Sequence, residues 1–373
     1  MINRSHAREK GGRFRRPGFT LIELMIGASV MLIVVLGALT IYMRSNKITV
    51  DQQQFAHLQH DVRSAMFFVS RDIRSSGVGL EEMLVGYFIQ GWDNEDQSGA
   101  VTPDRIRIMG NIEDPLDITI DNYQGSSANA ALVDFSLESY HYPDDYYDNK
   151  IVLMVPNPDS GCITAEVRQI TSVTHNATGG NERFNFSPSL APGIDPPGGL
   201  SGSCPESDDW DGGSIHFVQV KEYWLDVDGS ESGLTPGEDG YIGNGEGGIL
   251  YMTQNAYHYP IAQNVENFQL EYNGDFDNDG FLDGYQPYDP LWTGDPAMIS
   301  RIHQVRIQIL GRTPRRFVSV SDTPPPGGLA LYRRPSLSNT PGEGDDDLHR
   351  RFLLESTVGV RNLTLGIYNI GER

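Results

Sequence analysis

RRPGFTLIELMIGASVMLIV, residues 15–34, joins a basic stretch to an apolar run that contains one acidic residue, Glu23. The apolar run continues from Phe19 to Met43. About 25 helical residues rise about 38 Å, which is enough to span a hydrocarbon core of roughly 30 Å. An ionised carboxylate in that core costs on the order of several kcal/mol, so Glu23 indicates a functional role.

Charge is distributed unevenly along the 373 residues. Residues 1–18 carry +5 and residues 19–77 carry +1, so the total of −22 leaves −28 on residues 78–373. A basic head before an apolar segment favours a cytoplasmic N-terminus and an exported body. An acidic body lacks the basic patch that phosphate contacts need, so no nucleic-acid partner is expected.

Three interpretations of the apolar segment follow from its residues alone. A cleaved secretory signal normally has a shorter apolar region, and residues 36–38 form only a weak cleavage site. A twin-arginine signal could begin at Arg15 and Arg16, but Pro17 and Gly18 follow where that motif needs other residues. A plain transmembrane anchor fits the length but leaves Glu23 unexplained.

A fourth interpretation comes from PGFTLIELM, residues 17–25, which resembles the prepilin signature of type IV pilins and type II secretion pseudopilins. The resemblance implies that residues 1–18 are a cleaved leader and that residues 19–43 span the membrane. Prepilin peptidase would cut between Gly18 and Phe19, and Phe19 would then be N-methylated. Glu23 would become the fifth mature residue and could pair with the terminal ammonium of a neighbouring subunit in a filament.

The helix is expected to continue beyond the membrane over residues 44–77, ending near Gly77. Apolar residues recur there at spacings of three, four and seven, which is typical of an amphipathic helix that packs on a sheet. They are Ile48, Phe55, Leu58, Val62, Met66, Val69 and Ile73.

Residues 78–373 are predicted to form a β-rich head, giving an α+β, pilin-like fold with a long N-terminal helix packed on it. Short runs rich in β-branched and aromatic residues alternate with turn-rich segments. The predicted strands are 105–109, 131–137, 151–155, 215–225, 249–252, 265–272, 305–310, 352–360 and 363–368. A long break at about 321–350 is predicted to be a mobile insertion.

Three segments of the head narrow the resemblance. Residues 261–272, 305–309 and 358–362 are similar to PilW-type minor pilins. This implies a minor pilin in the initiation or tip complex of a type IV pilus. Its implied partners are prepilin peptidase, other minor pilins, the major pilin, a tip adhesin and the inner-membrane assembly platform. The chain would cross the inner membrane once, with a periplasmic head, and reach the cell surface in the pilus.

Two other functions stay open at this point. One is a minor pseudopilin of type II secretion. The other is an adhesin or binding module displayed on a pilin stem. The sequence contains no H-E-x-x-H, G-x-S-x-G or P-loop motif, so the chain is predicted not to be an enzyme.

An acidic loop, DFDNDGFLD at residues 275–283, has the form of a calcium-binding loop. The predicted ligands are the side chains of Asp275, Asp277, Asp279 and Asp283 and the carbonyl of Phe281. Position 12 is Gln286 rather than glutamate, so the loop looks closer to nine-residue calcium loops of extracellular β proteins than to an EF-hand. A structural calcium ion is therefore expected, and a solvated acidic turn is the alternative.

The chain has two cysteines, Cys162 and Cys204. If the body lies outside the cytoplasm, a disulfide between them is the natural interpretation. Two unpaired thiols are the alternative.

Overall fold

The computed structural model of the chain describes fourteen ranges of residues. They are 20–78, 88–93, 103–110, 117–124, 130–133, 146–162, 166–178, 181–186, 209–226, 248–254, 257–293, 295–314, 335–338 and 349–360. The chain divides into two compact units, Met1–Gln53 and Gln54–Arg373. The boundary falls inside the first helix, so its two portions are described separately below.

Helix α1 spans Leu21–Arg74. It is long and apolar enough to cross a membrane, and its most apolar portion is not buried in protein. The helix ends at Arg74, three residues before the predicted limit, and a turn over residues 75–78 follows. Gly77 takes a positive φ of 72° in that turn, and its N–H donates to the carbonyl of Met109. A glycine adopts this conformation without the strain that a side chain would bring.

Thirteen strands lie in the described part of the head. They are β1 (Ile89–Trp92), β2 (Arg105–Gly110), β3 (Asp117–Gln124), β4 (Ala130–Val133), β5 (Ile151–Val155), β6 (Glu166–Thr178), β7 (Asn181–Phe186), β8 (Ser214–Asp226), β9 (Gly248–Gln254), β10 (Tyr257–Gly274), β11 (Tyr285–Gln286), β12 (Ile302–Arg312) and β13 (Arg351–Gly359). A 3₁₀ turn (Pro290–Trp292) and a short helix α2 (Pro296–Ile299) precede β12.

Eight of the predicted strands are confirmed, although β4 is described only as far as Val133. The predicted strand at 363–368 lies outside the described residues, as does most of the insertion at 321–350. Strands β1, β3, β6, β7 and β11 were not predicted. Several of them are rich in Thr, Asn, Gln and Asp, so the few apolar residues that they bury, such as Ile120 and Phe184, give no clear strand pattern.

One face of an open antiparallel sheet carries the C-terminal portion of α1. The sheet runs β13-β12-β10-β9-β8-β2-β1. Leu58, Val62 and Val69 are almost completely buried against it in the main core. The approach is close at Gly311 of β12, where an added Cβ would lie 2.6 Å from a methyl carbon of Leu58. The absence of a side chain at Gly311 therefore lets the helix contact the sheet directly.

Strand β8 belongs to two layers at once. Its second half pairs with β2 and β9, whereas its first half pairs with β3 and β5. The pairings β8-β3-β4-β7-β6-β5-β8 close a six-stranded antiparallel ring. A second core, separate from the one beneath α1, contains Tyr147, Phe184, Trp210 and Phe217. Closing the ring gives hydrogen-bond partners to the backbone N–H and C=O groups that edge strands of an open sheet would leave unpaired.

Candidate functional site

The first turn of α1 contains a reciprocal capping box. Thr20 precedes the helix, and its N–H and hydroxyl each donate to a carboxylate oxygen of Glu23 at 2.9 Å. The N–H of Glu23 in turn donates to the hydroxyl of Thr20 at 3.3 Å. This is the S/T-x-x-E arrangement that satisfies free backbone donors at a helix N-terminus. Glu23 thus has a partner within its own chain, in addition to any partner in a filament.

The predicted cleavage positions come immediately before this turn in the sequence. Gly18 and Phe19 fall outside the described residues. The capping box holds the carboxylate of Glu23 within the first helical turn, next to where a new terminus at Phe19 would form. An acidic group there also interacts favourably with the positive end of the helix dipole.

A buried charge network joins the other end of α1 to the sheet. The side chain of Asp72 is only 2% exposed. It accepts hydrogen bonds from Arg71 Nε at 2.8 Å, Lys221 Nζ at 3.0 Å and Tyr223 Oη at 2.6 Å. Lys221 and Tyr223 lie on β8, so one helical carboxylate fixes the helix to the strand that both layers share.

The electrostatics of this network keep Asp72 ionised. Burial alone would raise the pKa of Asp72, but the hydrogen bonds from its three donors outweigh it and hold the pKa below its ordinary value. The pKa of Tyr223 is raised, chiefly by burial and then by the negative charge of Asp72. Tyr223 therefore remains a neutral donor.

The acidic loop brings three of the four predicted carboxylates together. One oxygen each from Asp275, Asp277 and Asp283 lie within 4.8 Å of one another, which is close enough to bind a single cation. Asp279 is not in that group, and its carboxylate accepts from the N–H of Phe281 at 2.8 Å. The side chain of Phe281 is 75% exposed.

Backbone amides shape the same loop. The N–H of Asp279 donates to Asp275 at 2.9 Å and to Asp277 at 3.1 Å, and that of Gly280 donates to Asp275 at 2.9 Å. Gly280 has a φ of 88°, so the sharp turn at position 6 requires glycine. Although the amide of Asp279 lowers it, the pKa of Asp277 is raised overall by slight burial and by the charges of the surrounding carboxylates.

An aromatic cluster supports the loop from below. Phe276, the second loop residue, stacks on Trp292 with ring centroids 4.4 Å apart, and Trp292 contacts Tyr272 and Tyr288 edge-on. Arg301 also donates to the carbonyl of Phe276 at 2.6 Å. The loop is therefore fixed to the core at one end, while its carboxylates face solvent.

Of the two cysteines, only Cys162 lies within the described residues. Cys162 packs against the core of the six-stranded ring, and Cys204 lies outside the described residues. The disulfide between them therefore stays a prediction.

Two family models match separate parts of the chain. The model described as a prokaryotic N-terminal methylation motif matches residues 13–39, which include the predicted cleavage positions and Glu23. The model described as Type IV Pilus-assembly protein W matches residues 241–362, from just before β9 to just after β13. No curated protein matches the chain.

Among solved structures, a type IV-like pilin from Thermus thermophilus is similar over 58% of this chain and 86% of its own, at 13% identity. The TM-score of 0.19 is too low for this likeness to support any conclusion.

The methylation motif and the PilW segment together define a type IV pilin-like protein, anchored in the membrane by its N-terminal helix. Proteins of this pilin-like class are processed by a peptidase and assemble with other pilins. The PilW segment makes this chain, more particularly, a minor pilin of the type IV pilus. The pilin family is structural rather than catalytic.

Sequence reasoning missed two features that had visible signals. The capping box has a visible signal in the T-x-x-E pattern at residues 20–23. Asp72 lies three residues after Val69, on the face that the apolar pattern assigns to the core. Its partners on β8 are about 150 residues away, so no local pattern could identify them.

Proposed function

We propose that this minor pilin acts in the complex that initiates or caps the type IV pilus. The observation that carries the proposal is the joint presence of a methylation motif at one end and a PilW segment in the head. Its partners in this proposal are other minor pilins, the major pilin, a tip adhesin and the assembly platform. Before assembly the chain crosses the inner membrane once, with its head in the periplasm.

Processing would release the helix for assembly. Prepilin peptidase cuts between Gly18 and Phe19 and methylates Phe19, and the new ammonium lies one turn from Glu23. In the filament, Glu23 exchanges its contacts with Thr20 for the terminal ammonium of a neighbour. Pairing offsets part of the cost of placing the carboxylate in an apolar environment.

Leader cleavage is tested by Gly18→Val. We expect the full-length precursor to accumulate, because the bulky side chain replaces the small residue at the cut. Intact-mass measurement of the purified chain reports loss of residues 1–18 and addition of one methyl group in the unmodified protein. Gly12→Val in the same leader is the matched control and should be processed normally. Normal cleavage of Gly18→Val would contradict the proposed site.

We also propose that the acidic loop binds a structural calcium ion. The support is the convergence of one oxygen each from Asp275, Asp277 and Asp283 within 4.8 Å of one another, which crowds their negative charges. A bound cation would neutralise that repulsion. Because the loop rests on the stacked pair of Phe276 and Trp292, its ordering would stabilise the head rather than catalyse a reaction.

Chelation is the direct test of this calcium site. Adding EDTA to the full-length protein in detergent should lower its unfolding temperature by several degrees, and excess calcium should restore it. Asp277→Ala should abolish the response, whereas the exposed Asp159→Ala should respond like the unmodified protein. An unfolding curve indifferent to calcium and EDTA would end the proposal.

A second candidate function is a binding module displayed on the pilin stem. The observation that favours it is the six-stranded ring with its own core, which lies outside both family matches. A strain lacking the gene distinguishes the two functions. Loss of pili indicates a role in assembly, whereas normal pili with lost adhesion indicate a displayed module.

A further inference from the structure

The outer face of the C-terminal portion of α1 has a continuous row of exposed residues. Its members follow one another at intervals of three and four residues, so they lie on one side of the helix. They are Ala56, His60, Arg63, Phe67, Arg71 and Arg74. We call Arg63, Phe67, Phe68, Arg71 and Arg74 the basic strip.

Two aromatic rings of the strip are exposed to solvent. The side chain of Phe67 is 63% exposed and that of Phe68 is 36% exposed, and the rings contact each other edge-on at 5.8 Å. Arg71 lies over the ring of Phe68 at 5.4 Å. Aromatic rings beside arginines are the composition typical of the centre of a protein interface.

Within the described residues, two of the three guanidinium groups of the strip have no acidic partner. Arg71 pairs with Asp72, but Arg63 and Arg74 make no ion pair with any residue in the described ranges. Arg63 instead lies 5.7 Å from the ring of Phe352. Residues 78–373 carry a net charge of −28, so this positive strip stands out on an acidic protein.

Two shallow, open depressions lie along the strip and share Arg63 and Phe67. The larger also includes Arg71 and Arg74, and the smaller includes Phe68. A protein partner has protruding side chains that can enter these depressions, whereas a lipid surface has none.

We propose that the basic strip docks an acidic surface on the head of a neighbouring pilin-like subunit. The inference rests on the proposed function, since it needs other subunits beside this one. Charge complementarity identifies the partner as an acidic head. The head of this chain carries −28 over residues 78–373, so a second copy would also present a surface of the required charge. Opposite charges would steer the two surfaces together, and the exposed rings would be covered on contact.

Photocrosslinking in the full-length chain tests the contact. p-Benzoyl-phenylalanine replaces Phe67, and in a control chain it replaces Leu291, which is 83% exposed on the head. In pilus-producing cells we expect the Phe67 probe to capture the head of a pilin-like subunit, identified by its peptides. Arg63→Glu with Arg74→Glu should reduce the yield at least about fivefold, whereas Arg63→Lys with Arg74→Lys should largely retain it.

Several outcomes would overturn the inference. In the first, the Phe67 probe captures only lipid or no pilin-like subunit. In the second, its yield does not change on charge reversal. In the third, the Leu291 probe gives an equal yield that depends on the arginines of the strip in the same way. Both arginines are exposed, so the reversed chain should keep its unfolding temperature within about 3 °C. If the proposed function itself is wrong, the unmodified chain will be missing from sheared pili. If only the docking is wrong, the chain will be present there while the Phe67 probe fails.

Discussion

The full-length chain carrying Asp72→Ala is expected to lose about 3–5 kcal/mol of unfolding free energy. The change removes the only carboxylate that pairs Lys221 and Tyr223 among the contacts described for them. Lys221 is only 12% exposed, so its charge would be left largely buried without a partner. Breaking one side of a buried ion pair costs about this much. Urea unfolding in detergent measures the loss.

Asp61→Ala is the matched control on the same helix. Asp61 is partly exposed, and the ion pair described for it is with His60 at 3.5 Å, so its removal should cost less than about 1 kcal/mol. A further variant combines Asp72→Leu, Lys221→Met and Tyr223→Phe. It should be more stable than Asp72→Ala alone, because it leaves no buried group unpaired. Equal losses for Asp72→Ala and Asp61→Ala would contradict the network's role.

The same network gives the head a defined response to acid. The pKa of Asp72 is lowered in the folded chain, so its contribution is complete above the ordinary carboxylate value of about 3.9. The contribution is lost as the pH falls through the lower, folded value. As the pH falls below about 4, the unmodified protein should lose more stability than Asp72→Ala does.

Glu23→Gln is expected to reduce incorporation into pili at least about tenfold. The glutamine keeps an oxygen that can accept from Thr20, but it loses the charge that would pair with a neighbour's ammonium. A loss of about 1.4 kcal/mol in docking gives a tenfold effect, and an unpaired charge in an apolar environment costs more. Immunoblotting of sheared pili against the membrane fraction measures incorporation.

Thr20→Val separates capping from filament pairing. It removes the hydroxyl that bonds Glu23, at a cost of about 1 kcal/mol to the helix, but leaves the carboxylate free to pair. Incorporation should then fall far less than in Glu23→Gln. Normal incorporation of Glu23→Gln would show that Glu23 serves the capping box alone. Equal incorporation of both variants would also contradict a filament role for its charge.

Much of the fold could be predicted because its signals are local. Apolar content and length predicted the N-terminal helix, and short β-branched runs predicted eight strands. The convergence of Asp275, Asp277 and Asp283 was also predictable, since the three carboxylates lie within nine residues. Polar strands such as β6 and β7 escaped prediction, because the apolar residues that they bury, such as Ile170 and Phe184, are few and stand among polar ones.

The sequence by itself determined the membrane helix, the processing signature at Gly18 and Phe19, and the acidic loop, because each depends on residues close together in the chain. The tertiary structure alone decided that β8 is shared between two layers and that Asp72 joins α1 to it. The contacts of Asp72 link residues about 150 positions apart, and no local pattern sets the pairing of β8, so only the folded chain brings these residues together. It also decided which arginines of α1 remain exposed, and hence where the basic strip lies.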